Sequence, residues 1–391
     1  MAARERIYLD NAATSWPKPE PVYRAVDQAL RRLGAPAGRS AYREANEVER
    51  RIGQARRRLA ERIGAEESRR VVFTCNGTEA LNLALHGLLR PGDHVVTSVV
   101  EHNSVLRPLR QLEDTGQITV TRVACDGHGR IDPDAIRRAI RPATRLIALL
   151  HASNVTGTLQ PIESVGRIAR EYQVRLLVDA AQTLGHRPLD VRKLGADLLA
   201  APCHKGLFSP PGVGMLYLAP GIERELRPIR QGGTGTHSEQ DRQPETMPDG
   251  YESGSPNVAG LLGLEAGLSW LAERGADQGE RHERELVGQL LEGLRAIPRV
   301  TVYGPPDDEQ RVGVVSLRIA GWEPQELATL LDSTFGVQVR AGFQCAPLLH
   351  HALGTAAHGG TVRISLGVFN TRAQIDTAVQ ALGELAAGSL A

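Results

Sequence analysis

Lysine is nearly missing from this chain. Of 46 basic residues only Lys18, Lys193 and Lys205 are lysine, so any chemistry that needs an amine nucleophile has three candidates. Cysteine is also sparse. Cys75, Cys125, Cys203 and Cys345 are widely spaced, with no C-x-x-C pair, which excludes a disulfide framework and leaves free thiols in a reducing compartment as the expectation. Charge of one sign is lacking too: 46 basic against 45 acidic residues leave +1, and no electrostatic case exists for a nucleic-acid or polyanion partner. Long apolar runs are absent, the longest falling far short of the roughly 20 residues a membrane span needs. Residues 1–6 alternate charge with small side chains and lack a signal-peptide core, so a cytoplasmic location is expected, with no membrane partner.

What remains is a 391-residue chain with 41% hydrophobic and 23% charged residues, the balance of a globular enzyme. Short β-branched apolar runs at 70–74, 94–99, 118–123, 145–151, 175–179, 198–201 and 214–218 alternate with helix-period segments at 78–89, 104–113, 133–140 and 162–172. Strands this apolar, alternating with helices, predict an α/β fold with a mostly parallel seven-stranded sheet covered on both faces. Asn46 with Glu49 three residues on predicts a capped helix running to about Ile63. Glycine and proline cluster over 231–257 as a long irregular loop. Helices at 258–274, 280–296 and 324–335, strands at 313–319, 337–340 and 361–366, and a last helix opened by Thr371 predict a smaller α+β domain.

No G-x-x-x-x-G-K-[ST], no G-x-G-x-x-G after a strand and no H-E-x-x-H occurs. Cys345, His350, His351 and His358 cluster in sequence, but their spacing matches no zinc-ligand pattern, and no metal is expected. More telling is Asp179 at the end of a buried strand, followed 26 residues later by Lys205 just past another strand end. Open α/β sheets bind ligands at that edge. An aspartate and a lysine so placed suit pyridoxal 5'-phosphate, with the lysine as Schiff-base former and the carboxylate as partner of the pyridinium nitrogen. Taken alone, the pair also reads as a solvated lysine and a strand-end acid. The run from Val71 into Asn76, Gly77 and Thr78 at a helix start could cradle the phosphate, or be an ordinary capped helix. His102 after one strand could stack on a planar cofactor, and Asn154 and Gln182 after two others could bond its ring oxygen.

Together these residues resemble a fold-type I pyridoxal-phosphate enzyme of the class V aminotransferase group, most closely a short-loop, second-type cysteine desulfurase. The resemblance runs through 8–14 (Tyr-Leu-Asp-Asn-Ala-Ala-Thr), 76–80 (Asn-Gly-Thr-Glu-Ala), Glu101–His102, 153–155, 179–182 (Asp-Ala-Ala-Gln), His204–Lys205, 251–257, 340–346 (Arg-Ala-Gly-Phe-Gln-Cys-Ala) and 362–365 (Val-Arg-Ile-Ser). It implies a large cofactor-binding domain over 16–260 and a small domain from 1–15 and 261–391. Lys205 would form the Schiff base, Asp179 hold the pyridinium and His102 stack and shuttle protons, while Asn154 and Gln182 bond the ring oxygen. Asn76, Gly77, Thr78 and His204 would hold the phosphate, joined by Ser255 from the other subunit of a homodimer. Arg363 would grip the substrate carboxylate, with Arg340 and Asn154 beside it. Cys345 would take sulfur from L-cysteine as a persulfide, leave alanine, and hand the sulfur to an acceptor protein for iron–sulfur cluster assembly or related delivery. A thiolate there needs positive neighbours, and Arg340 and Arg363 are the candidates in sequence.

The chain departs from that pattern in places. Pro202 and Cys203 replace a small hydroxyl residue and glycine before His204, Ser255 replaces threonine, and Gln344 and Tyr42 stand where histidines are expected. A selenocysteine lyase or a pyridoxal-dependent carbon–sulfur β-lyase is therefore the alternative reaction, and a non-catalytic scaffold the alternative class.

Overall fold

The computed structural model describes residues 6–38, 40–236 and 238–388, with the side chains of 276 and 277 left aside. Residues 1–5 of the N-terminal stretch, and Arg39, lie outside the described residues.

A two-residue strand, β1 (Ile7–Tyr8), precedes the main sheet. That sheet holds β2 (Val71–Thr74), β3 (His94–Ser98), β4 (Thr119–Val123), β5 (Thr144–Leu150), β6 (Arg175–Asp179), β7 (Leu198–Pro202) and β8 (Gly214–Leu218), in the order β2-β8-β7-β6-β5-β3-β4. All seven expected strands are present. Only β8 runs against its neighbours β2 and β7, so β2 to β7 all point the same way.

The strands read as unbroken apolar runs because both faces are covered. In β5, Leu146 and Ala148 face a cluster with Ala80, Leu81 and Leu109, carried by helices Gly77–Leu88 and Asn103–Asp114. Ile147 and Leu149 face the opposite cluster, with Val48, Ile52 and Leu59 of helix Arg43–Arg62 and Val165 of helix Ile162–Glu171. Each such leucine, isoleucine or valine contributes about 1.5–3 kcal/mol by its burial.

Helix Arg43–Arg62 starts a turn before Asn46. Extended Tyr42 stands at its cap, and Asn46 spends its side-chain amide on the Ala41 carbonyl instead of capping anything. Tyr42, one of the departures noted above, is exposed there.

The second core lies on an antiparallel sheet of β9 (Val300–Tyr303), β10 (Val314–Ile319), β12 (Arg340–Gly342) and β13 (Thr361–Ser365), ordered β12-β13-β10-β9. The short β11 (Val337–Gln338) pairs in parallel with β1, which ties the N-terminal segment to this body. Helices Ala276–Arg295, Pro324–Phe335 and Arg372–Ala386 supply Leu286, Leu290, Leu331, Ile375 and Leu382 to its core. Thr371 and Gln374 close the last helix with a reciprocal capping box. Helix Val258–Arg274 behaves differently: its Leu261, Leu264, Leu268 and Leu271 join the core of the seven-stranded sheet. Gly275, at φ +85°, separates that helix from the next.

Candidate active site

Because β2 to β7 run in one direction, their carboxyl ends share an edge, and the loops leaving them converge there. Asn76 follows β2, His102 follows β3, Asn154 follows β5, Asp179 ends β6 and Lys205 follows β7. One cleft at that edge is lined by Asn76, Gly77, Thr78, His102, Asn154, Asp179, Gln182, His204, Lys205, Arg340 and Arg363. The space between its walls, open mouth included, is about 850 Å3.

Two expected site residues do not line it. Cys345 sits beside the cleft, reached through Arg340, whose Nη2 lies 3.2 Å from its Sγ. Ser255 is exposed in a separate cleft with Cys75, Arg230 and Asn257, outside this chain's own site.

At the deep end, the Asp179 carboxylate accepts the Ala181 amide at 2.9 Å and is almost fully buried. Burial pushes its pKa up, against the opposing pull of that amide and of Lys205. Burial pushes the Lys205 amine down to about 8, helped by Arg363 and Arg340 and opposed by Asp179. His102 caps helix Asn103–Asp114. Its Nδ1 accepts the Ser104 amide at 3.0 Å, which leaves the ring proton on Nε2. Burial, with Lys205, Arg340 and Arg363 nearby, pushes this imidazole down to about 4, so it is neutral near pH 7.

The helix start at 76–78 is shaped for an anion. The Asn76 side chain accepts the Glu79 amide at 2.8 Å, and Thr78 Oγ1 shares a 2.8 Å hydrogen bond with Ser104. A Cβ at Gly77 would come within 2.8 Å of Pro202 Cδ, so only glycine lets the loop pass the proline. Three buried polar atoms of cleft-lining residues have no partner: Asn154 Oδ1, His204 Nδ1 and Arg363 Nε. Orphaned groups of this kind cost energy unless a ligand satisfies them. A glycine-lined helix N-terminus for phosphate, unspent polar atoms for a ring and its substituents, and an amine facing a buried carboxylate all suit pyridoxal phosphate.

Arg363 lies on the central strand β13 beside Arg340 on β12. It is 1% exposed, held at 2.5 Å by Asp10 and bonded to the Asn154 carbonyl at 3.0 Å, with its Nε unspent. Gln182 reaches back to the Ala12 carbonyl at 3.2 Å, fixing the N-terminal segment as one cleft wall. The other cysteines stand apart: Cys203 is buried, its thiol pushed far up by desolvation, Cys125 is half-buried and Cys75 exposed. His350 is buried and hydrogen-bonded, and among the described residues no group of three or more metal-ligating side chains is found.

Across residues 7–378 the chain matches the family model described as aminotransferase class-V. The chain belongs to the class-V aminotransferase family. Among curated members it is 37% identical over 388 residues to a probable cysteine desulfurase of Methanothermobacter thermautotrophicus, covering 98% of this chain and 95% of that protein. It is 33% identical to a cysteine desulfurase of Haloferax volcanii, covering 96% and 88%. A solved apo cysteine desulfurase from Thermococcus onnurineus superposes with a TM-score of 0.91 at 33% identity, over 98% of this chain and 95% of that one. The cysteine desulfurase CsdA of Escherichia coli superposes with a TM-score of 0.88 at 30% identity, over 99% and 96%.

Sequence reasoning missed four residues that serve this class-V site. Asp10 holds Arg363, and Ser104 bridges Thr78 to His102. Lys18 Nζ donates to the His204 carbonyl at 2.7 Å, behind the lysine loop. Glu101, wholly buried, takes the Ser98 hydroxyl and the Leu150 amide, and burial pushes its carboxyl up to about 8. Asp10 and Glu101 left a trace as parts of a quoted motif, and Lys18 as one of the three lysines, its place behind the lysine loop unread.

Proposed function

We propose that this chain is a pyridoxal-phosphate-dependent cysteine desulfurase that converts L-cysteine to L-alanine and leaves the sulfur as a persulfide on Cys345. The observation that carries the reading is the meeting of Lys205 and Asp179 in one cleft with a cysteine held against Arg340. Pyridoxal phosphate, when bound, supplies an electron sink for negative charge at the substrate's Cα.

The chain's own groups supply the rest. Asn76, Gly77, Thr78 and His204 would hold the phosphate at the helix start, and Ser255 of a second copy would complete that cradle in a homodimer. Asp179 would pair with the ring nitrogen and Asn154 and Gln182 with the ring oxygen, while His102 would lie against the ring and offer Nε2–H. Arg363 binds the substrate carboxylate, a task suited to a guanidinium already fixed by Asp10. Lys205, with its amine depressed to about 8, takes the Cα proton as base. The Cys345 sulfur attacks the substrate sulfur. Its carbon–sulfur bond breaks, a sulfur–sulfur bond forms, and the carbon fragment leaves as alanine after taking up a proton. The sulfur then passes to an acceptor protein, for iron–sulfur cluster assembly or related delivery. A reducing, cytoplasmic setting suits four unpaired cysteines.

The test is product analysis of the pyridoxal-loaded protein with L-cysteine and a reductant. Alanine in step with sulfide is expected. Pyruvate and ammonia would mean β-elimination and remove the persulfide role from Cys345. L-selenocysteine run in parallel fixes the chalcogen preference.

A further inference from the structure

The turn that presents Cys345 is strained. Gln344 and Cys345 are consecutive non-glycine residues in the left-handed region, at φ +39° and +63°. Such backbone costs about 1–3 kcal/mol per residue and persists only where its surroundings enforce it. The Gln344 side chain supplies that enforcement. It is 2% exposed and spends both ends: Nε2 donates to the Thr361 carbonyl at 2.7 Å, and Oε1 accepts from His350 Nε2 at 3.0 Å and from Thr361 Oγ1 at 3.2 Å. His350 is itself fixed, its Nδ1 lying 2.7 Å from Thr355 Oγ1, and burial pushes the ring down to about 4. It is therefore a neutral donor that stays in place near pH 7. The Gln344 backbone points the other way: its carbonyl accepts Asn154 Nδ2 at 2.5 Å, and the next carbonyl, of Cys345, accepts the Asn103 amide at 2.8 Å. Asn154 lines the ligand cleft with its Oδ1 unspent, and Asn103 follows His102.

We propose that Gln344 is a positioning residue: pinned by His350 and Thr361, its side chain holds the left-handed turn and so registers Cys345, through Asn154 and Asn103, against the ligand cleft. This rests on reading Cys345 as the nucleophile. The side chain touches neither ligand nor sulfur; it fixes the peptide that carries the sulfur.

Gln344→Met keeps length and apolar contact but removes all three polar contacts. In the pyridoxal-loaded protein, alanine formation is expected to fall about 10–100-fold in kcat with KM unchanged within about twofold, since small misplacements of a reacting group carry penalties of that order. Amide exchange over residues 343–346 and at Asn103 is expected to rise at least about tenfold while the central strands stay protected. Unchanged exchange in the folded variant, or a KM rise with kcat intact, overturns the proposal. Should Gln344→Met fail to fold, Thr355→Val removes only the hydroxyl that orients His350. A rise of about threefold in the same exchange is then expected, and no rise overturns the proposal. A wild-type protein that makes no alanine would sink the nucleophile reading, while the exchange comparison would still judge the pin.

Discussion

The Nη2 of Arg340 lies 3.2 Å from the Sγ of Cys345, five residues along the chain and across the tight turn that follows β12. Arg340 also lines the ligand cleft, and on the neighbouring strand it sits directly opposite Arg363. One guanidinium therefore joins the sulfur to the ligand cleft.

Arg340→Leu removes that contact and leaves the arginine's apolar stem roughly matched. A hydrogen bond to a charged group is worth about 1.5–3 kcal/mol, so alanine formation is expected to fall about 10–100-fold. Pyridoxal loading, read by absorbance, is expected to be unaffected. Steady-state kinetics of the loaded variant check both.

Lysine chemistry here carries a pH signature. The Lys205 amine is depressed to about 8, so its neutral, reactive form grows as pH rises through 8 and levels off only well above it. Asp179 holds that value up, so Asp179→Asn is expected to move the midpoint of pyridoxal incorporation to lower pH. Stopped-flow incorporation rates between about pH 6 and 9.5, a window that brackets the depressed Lys205 value, test this; a midpoint moving upward contradicts it.

Gly77→Ala places a Cβ 2.8 Å from Pro202 Cδ and 3.0 Å from its nitrogen. Both are rigid atoms on β7, so the loop must shift. Overpacking of this kind costs about 1–3 kcal/mol, and the phosphate cradle moves with it. A lower melting temperature for the unloaded protein, together with weaker pyridoxal phosphate binding by titration, is the expected pair of results.

Asp10 balances a wholly buried arginine. Asp10→Ala leaves Arg363 without its carboxylate, and the expected loss is about 3 kcal/mol, the low end for a broken buried pair because Asp10 is 22% exposed at its side chain. KM for L-cysteine is expected to rise as well, since the guanidinium loses its fixed orientation. Denaturant unfolding and steady-state kinetics separate the two effects.

The large sheet was legible because strands buried on both faces must be apolar along their whole length, as 146–149 are. The reversal of β8 was not: 214–218 is as apolar as its parallel neighbours, and nothing in five residues tells direction. Lys205 stood out because lysine is so rare in this chain, and Asp179 because a strand-end acid in an apolar run is unusual. The contacts of Ser104, Lys18 and the Gln344–His350 pair stayed hidden for a common reason. Each acts through a hydrogen bond made by the folded chain, to a side chain or to a backbone carbonyl, and such contacts leave no periodicity and no spacing. The Asn46 cap misled because a side chain that can cap a helix can equally bond back to a carbonyl before it, here that of Ala41.

The central claim is that Cys345 receives the sulfur. The most direct measurement is the mass of the Cys345 peptide after one equivalent of L-cysteine is mixed with pyridoxal-loaded protein without reductant. The account predicts a peptide heavier by one sulfur atom, with alanine released in equal amount, and no such peptide or alanine from Cys345→Ala. Alanine and sulfide from Cys345→Ala at the wild-type rate would contradict it.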